Sequence, residues 1–178
     1  MNAEIISVGT ELLLGQIVDT NSAEISQRLA ELGINVYFHG SVGDNPVRLA
    51  HALATALVRS DIVIVTGGLG PTEDDITKEA LAGVTGRPLE LRPEALAHIE
   101  AYFRRTGRPM TENNRRQAML PRGAEIIENP RGTAPGVYLA ANGKHVFCLP
   151  GVPTEMRTML KEGVCPRLAA LRGNGGEI

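Results

Sequence analysis

The chain contains no tryptophan and only six aromatic residues, three Tyr and three Phe, among 178. A protein that tracks single-stranded nucleic acid needs a basic groove with aromatic rings on which bases stack. Here 18 Lys and Arg face 20 Asp and Glu, for a formal net charge of -2, so nucleic acid is excluded as the expected partner. Two cysteines, Cys148 and Cys165, are too few for a disulfide framework and lack metal-ligand spacing, which predicts reduced thiols. The four histidines, His39, His51, His98 and His145, form no H-x-x-x-H pair and are assigned structural or surface roles. No apolar run approaches the ~20 residues a membrane-spanning helix needs. The opening "MNAEIISVGTE" also lacks the basic flank and hydrophobic segment of a secretory signal. A cytoplasmic protein with no membrane partner is expected.

What is present suits one globular domain: 43% of residues are hydrophobic, enough for a substantial core. The expected division is a single domain over 1–170 and a loose glycine-rich tail over 171–178. "AEIISVG" (3–9) reads as a buried strand, and Ile25, Leu29 and Leu32 then fall at helical spacing, with Asp19 to Ser22 as caps and Gly33 as a stop. "INVYFHGSVG" (34–43) returns to strand character, followed by a helix capped by Asn45 and opened by Pro46. "DIVIVTGG" (61–68) is the third strand. Three strand-then-helix units in succession predict a parallel sheet with right-handed crossovers. Further helices are expected over 92–107, over 111–120 with Thr111 as cap, and from Thr154 to an interruption near Pro166. Asn142-Gly143 between "VYLAA" and "KHVFCL" is a hairpin signal that forces one antiparallel strand into the sheet. The predicted architecture is a three-layer α/β/α sandwich with a mostly parallel sheet.

In open α/β sheets, ligands bind beyond the carboxyl ends of the strands. Four loops should reach that edge: "GTELLLGQIVDTN" (9–21), "SVGDNP" (41–46), "GGLGPTEDD" (67–75) and "LPGVPTE" (149–155). They bring glycines together with Glu11, Asp19, Asp44, Glu73, Asp74, Asp75 and Glu155. Glycines after a strand let backbone amides approach a phosphate, whereas clustered carboxylates repel one. A divalent ion such as Mg²⁺, Mn²⁺ or Co²⁺ reconciles the two by bridging carboxylates and phosphate oxygens. A second reading makes Asp75 the cap of a helix starting at Ile76, with Glu73 and Asp74 favourably placed at its positive end. The loop completes neither a P-loop, lacking Lys-Ser/Thr, nor a dinucleotide fingerprint, lacking the third glycine, so an ATPase or a dehydrogenase is not expected. Arg115, Arg116 and Arg131 are the nearby cations, read first as solvated surface residues.

The motifs "GTELLLGQIVDTNSAEISQRLAELG", "VGDN", "VTGGLGPTEDDITKEAL", "NNRRQAMLP", "NPRGTAPG" and "LPGVPTEM" are similar, in order and spacing, to the N-terminal domain of CinA-type competence/damage-inducible proteins. The resemblance covers about residues 3–170 and extends to the molybdopterin-binding fold of MogA, MoaB and gephyrin. There the glycine loop reads G-G-T-G followed by Asp-Val-Thr; here it is Gly67-Gly68-Leu69-Gly70 followed by Asp75-Ile76-Thr77, and Leu69 removes a hydroxyl beside the loop. The resemblance implies metal-dependent hydrolysis of ADP-ribose to AMP and ribose 5-phosphate, with a non-catalytic nucleotide- or molybdopterin-binding module as the alternative. It assigns Asp44 and Asp75 as metal or water-positioning residues, with Glu73 and Asp74 as further metal candidates. It gives the Gly67, Gly68 and Gly70 amides to phosphate, and Thr10, Asn21, Thr133, Pro150 and Gly151 to the nucleotide or ribose pocket. No R-E-x-x-E-E box is present, so any such cleavage uses a site unlike the Nudix one. A small-molecule nucleotide substrate and a homodimer or homotrimer are the implied partners. The nicotinamide mononucleotide deamidase of full-length members is not expected in this chain.

Overall fold

The computed structural model describes residues 1–173. Strands β1 (Asn2–Val8), β2 (Asn35–Val42) and β3 (Ile62–Thr66) alternate with helices α1 (Thr10–Leu13), α2 (Thr20–Glu31) and α3 (Pro46–Arg59). Helix α4 (Thr77–Thr85), strand β4 (Leu89–Leu91), helices α5 (Pro93–Thr106) and α6 (Glu112–Arg116) and strand β5 (Met119–Pro121) form the middle of the chain. The last part comprises β6 (Glu125–Ile127), β7 (Gly136–Ala141), β8 (Lys144–Leu149) and α7 (Pro153–Met159), then a π-turn over Leu160–Val164 that leads into α8 (Cys165–Gly173).

Six strands form one sheet in the order β2-β1-β3-β8-β7-β6. Strands β2, β1, β3 and β8 pair in parallel, and the hairpin sets β7 antiparallel between β8 and β6. Its turn places Asn142 at φ 52° and Gly143 at φ 74°, the left-handed geometry that the Asn-Gly pair accommodates. Because alternate strand residues face opposite ways, the apolar runs feed two cores. Ile6, Val63 and Val65 pack with Leu49 and Leu53 of α3, Leu81 of α4 and Ile99 of α5. Ile5, Ile62 and Ile64 pack with Ile25 and Leu29 of α2, Met156 and Met159 of α7, and Leu168 of α8. The three-layer sandwich with one antiparallel strand is thus the observed architecture.

Three sequence expectations change. The helix expected over 111–120 ends at Arg116, and Met119–Pro121 pairs with Leu89–Leu91 in a separate two-stranded sheet. Pro121 pushes Leu120 towards extended backbone, and Leu120 is fully buried in that form. The interruption expected near Pro166 is a π-turn instead: its wider backbone takes up the missing N–H and the ring, and helix resumes at Cys165. Of the expected tail, Leu171–Gly173 complete α8, while 174–178 lie outside the described residues.

Candidate functional site

The loops after β1, β2, β3 and β8 meet at one end of the parallel strands and enclose a cavity of about 580 Å³. Its floor is the turn after β3. Gly67 there has φ 105°, and a Cβ would overlap the Val8 carbonyl oxygen of the neighbouring strand. At Gly70 a Cβ would sit 2.5 Å from Asp75 Oδ2. Bare backbone is therefore a packing requirement at Gly67, and its amide donates to the Leu149 carbonyl (2.9 Å), so the expected use of that amide for phosphate is corrected; the amides of Gly68, Leu69 and Gly70 carry no such bond among the described residues. The Thr77 hydroxyl donates to the Gly67 carbonyl (2.8 Å) and locks the start of α4 against the turn.

Asp75 does not cap α4. The helix starts at Thr77 with Ile76 in the capping position and no side-chain cap, so the capping reading fails. Asp75 Oδ2 instead accepts from Thr72 N (2.9 Å) and Thr72 Oγ1 (2.7 Å). Asp44 repeats this arrangement across the cavity, its Oδ2 accepting from Thr10 N (3.1 Å) and Thr10 Oγ1 (2.9 Å). Each carboxylate is thus oriented by a loop threonine through one oxygen, and neither Oδ1 receives a hydrogen bond among the described residues.

Asp44, Asp74, Asp75, Gly67, Gly68 and Gly70 all line the cavity, and Thr133, Pro150 and Gly151 complete it from the later loops. Glu73 does not reach it: its side chain is exposed on the outside of the turn. Thr10 acts from behind through Asp44. Asn21, 9% exposed, also stands outside, donating from Nδ2 to Thr66 Oγ1 (3.1 Å) and to the Gly151 carbonyl (2.9 Å), so it sets the loop after β8 rather than lining the cavity. Asp19 is occupied at α2. Burial raises its pKa, but hydrogen bonds from the Ser7 hydroxyl (2.6 Å) and Ser22 N (3.0 Å) outweigh that and hold it below the usual carboxylate range.

Glu11 and Glu155 join the lining, Glu155 Oε2 accepting from buried Asn129 Nδ2 (2.7 Å). That bond ties the "NPRGTAPG" loop to α7 and brings Thr133 to the wall. Arg115 pairs with Glu112 and Arg131 donates to Thr158 Oγ1 (2.7 Å), consistent with surface roles. Arg116 reaches the Thr72 carbonyl (3.4 Å) and Glu79 Oε1 (3.5 Å) and so braces the turn from outside. Gln117 on the wall and Lys78 behind the turn escape sequence reading. Gln117 lies within "NNRRQAMLP", but a lone amide there carries no charge or ligand pattern, and a lysine in the first turn of a helix reads as solvated.

Carboxylates surround the cavity without clustering. Among the described residues no three His, Cys, Asp or Glu side chains converge as a metal-ligand set; Asp75 turns one oxygen back to its own loop and Asp44 turns one to Thr10 of the neighbouring loop. The donor set does not match a closed all-protein cage. It fits a hard cation that keeps waters and takes one or two carboxylate oxygens together with ligand phosphate, the usual Mg²⁺ pattern. Of the two cysteines, both free, Cys148 is fully buried, and burial pushes its thiol up to about 12, which makes it inert.

Comparison with known proteins supports the same fold and places the chain among its relatives. The family model described as "Probable molybdopterin binding domain" matches residues 4–170. A competence-damage inducible protein of Symbiobacterium thermophilum is 57% identical over 174 residues, covering 97% of this chain and 41% of that protein. The Bacillus subtilis protein of the same name is 48% identical, covering 99% of this chain and 42% of its own. The chain thus spans about two fifths of the length of these relatives. The crystal structure of CinA from Thermoplasma acidophilum, a protein of unknown function, superposes with a TM-score of 0.84 at 42% identity, covering 90% of this chain and 94% of that one. The molybdopterin biosynthesis enzyme MoaB of Thermus thermophilus shares the fold, with a TM-score of 0.65 at 21% identity over 97% and 96% of the two chains. The chain belongs to the molybdopterin-binding-domain family, as a CinA-type domain with the MogA/MoaB-like fold.

Proposed function

We propose that this domain binds a phosphorylated nucleotide- or pterin-type ligand, with its phosphates on the Gly68–Gly70 amides and its remainder towards Thr133 and the Pro150-Gly151 turn. The observation that carries this reading is the pairing of a backbone turn that excludes side chains with two carboxylates held in fixed orientation on the same cavity. Backbone amides at the entrance to a helix suit phosphate oxygens. A volume of about 580 Å³ lies in the range of small-molecule and cofactor sites. The names of the family and of MoaB point to molybdopterin, while Leu69, lacking a hydroxyl beside the turn, weakens the case for that ligand and leaves a nucleotide such as ADP-ribose as the other candidate. Titration calorimetry with ADP-ribose and with molybdopterin tests the reading. Saturable binding of one of them, abolished by bulk introduced at the turn, is expected; no heat with either ligand at millimolar concentration contradicts it.

A second reading adds catalysis: metal-dependent hydrolysis of ADP-ribose to AMP and ribose 5-phosphate. The free Oδ1 atoms of Asp44 and Asp75 favour it, since the fold does not use them. A bound Mg²⁺, Mn²⁺ or Co²⁺ would supply neutralisation of charge developing on the phosphates. Asp44 and Asp75 would hold it and orient the attacking water, and the carboxylate facing that water would take its proton as one P–O bond forms and the bridging P–O bond breaks. Chromatographic detection of AMP, with each metal and with a chelator, separates this reading from binding alone.

A further inference from the structure

The chain has three lysines, Lys78, Lys144 and Lys161, and Lys78 is only 3% exposed. It sits in the first turn of α4, where the positive end of the helix makes a buried ammonium still less favourable. Its Nζ donates to the Arg116 carbonyl at 2.6 Å, and no salt bridge or second hydrogen bond from it is found among the described residues. The charged and titratable groups around it are Glu79 on its own helix, Arg116 at the end of α6, Asp75 on the turn and the Cys148 thiol on β8. Glu79 Oε1 is turned to Arg116 at 3.5 Å and its Oε2 has no partner, so neither oxygen pairs with the ammonium. A buried ammonium without a bonded counter-ion normally sheds its proton or finds an anion.

The bonds of Lys78 lead to the cavity. Arg116 directly precedes Gln117 on the cavity wall, and the Arg116 guanidinium contacts the Thr72 carbonyl. Thr72 in turn holds Asp75. We infer that Lys78 is a positioning residue for anion binding: it anchors the Arg116–Gln117 wall behind the glycine turn, and its ammonium is electrostatically completed when phosphate occupies the cavity. The inference rests on the proposed ligand-binding function and adds the charge that answers the ligand. Burial lowers the Lys78 pKa to about 8, with Arg116 acting in the same direction and Glu79 and Asp75 opposing. A bound anion raises it again. Binding then takes up a fraction of a proton near pH 8, and affinity falls as pH rises through that region, approaching tenfold per unit.

The test is calorimetry with ADP-ribose at pH 7 and pH 9, in pairs of buffers of different ionisation enthalpy, on wild type, Lys78→Arg and Lys78→Met. Wild type is expected to take up protons near pH 8 and to lose affinity above it. Lys78→Arg keeps the charge and should bind without that pH dependence. Lys78→Met should bind roughly tenfold more weakly at pH 7, also without it. Wild-type binding with proton uptake that persists in Lys78→Met overturns the role of Lys78 while leaving the binding function intact. Wild type that binds no ADP-ribose overturns both for this ligand. In either case the Lys78 Cε resonance, followed against the two other lysines in free protein, reads the group directly; titration at the ordinary lysine value, near 10.4, also overturns the inference.

Discussion

At the scale of single residues, the turn after β3 separates fold from function. Gly67 belongs to the fold: its φ of 105° and the Val8 carbonyl oxygen leave no room for a Cβ. Gly67→Ala should lower stability by about 1–3 kcal/mol from backbone strain alone, with the clash adding to it, as urea denaturation would measure. Asp75 belongs to the proposed site, with Oδ1 unused by the fold among the described residues. An asparagine can still accept from Thr72 through one oxygen, so Asp75→Asn should leave the urea midpoint nearly unchanged, within about 0.5 kcal/mol. If the domain hydrolyses ADP-ribose, the same variant should slow AMP release by about 100-fold or more; a variant with full activity would remove Asp75 from the chemistry. The glycines and the acidic run were legible because their pattern after a β-branched strand is unusual. Which oxygen of Asp75 is occupied was not, since that depends on where the Thr72 hydroxyl falls after the turn closes. The burial of Lys78 was equally hidden, as its partner, the Arg116 carbonyl, lies 38 residues away in sequence and no local signal marks it.

At the scale of elements, the hairpin and the cavity occupy opposite ends of β8: Lys144 follows the turn and Leu149 leads to Pro150-Gly151. Gly143→Ala forces a left-handed residue and should cost about 1 kcal/mol, yet leave ligand affinity at its wild-type value. A matching fall in affinity would mean that the hairpin and the cavity loops are coupled. The cap of α3 follows the same logic: Asn45 Oδ1 accepts from Arg48 N at 3.0 Å, and Asn45→Ala should cost about 1 kcal/mol in thermal or chemical unfolding. Elements with a long apolar run or a Pro-opened helix were readable, because one period dominates their sequence. The three-residue strands β4 and β5 were not, since neither "LEL" nor "MLP" carries a period and their pairing joins segments about thirty residues apart.

At the scale of the whole molecule, two cores on the two faces of one sheet hold four loops at a common edge, and protonation tests that framework from elsewhere. Burial holds the His145 pKa below 6.5, against the opposing pull of Asp61. A lowered folded-state value means that stability is present above about pH 6.5 and declines as pH falls from there. Asp19, also lowered, adds a second decline as pH falls below 3.8. Urea midpoints recorded from pH 8 to pH 3 should therefore drop in two stages, and His145→Gln should remove the first. The overall architecture was legible because strand-then-helix order admits few arrangements. Which neighbour orients each carboxylate was not legible, because Thr10 reaches Asp44 from a loop 34 residues away while Asp75 is held by Thr72 three residues away.

The most direct measurement of the central claim is a crystal structure of the domain grown with ADP-ribose and Mg²⁺. Phosphate density is expected within hydrogen-bonding distance of the Gly68–Gly70 amides, facing the free oxygens of Asp44 and Asp75. Density for the nucleotide elsewhere on the molecule, with the cavity above this turn empty at saturating ligand, would contradict it.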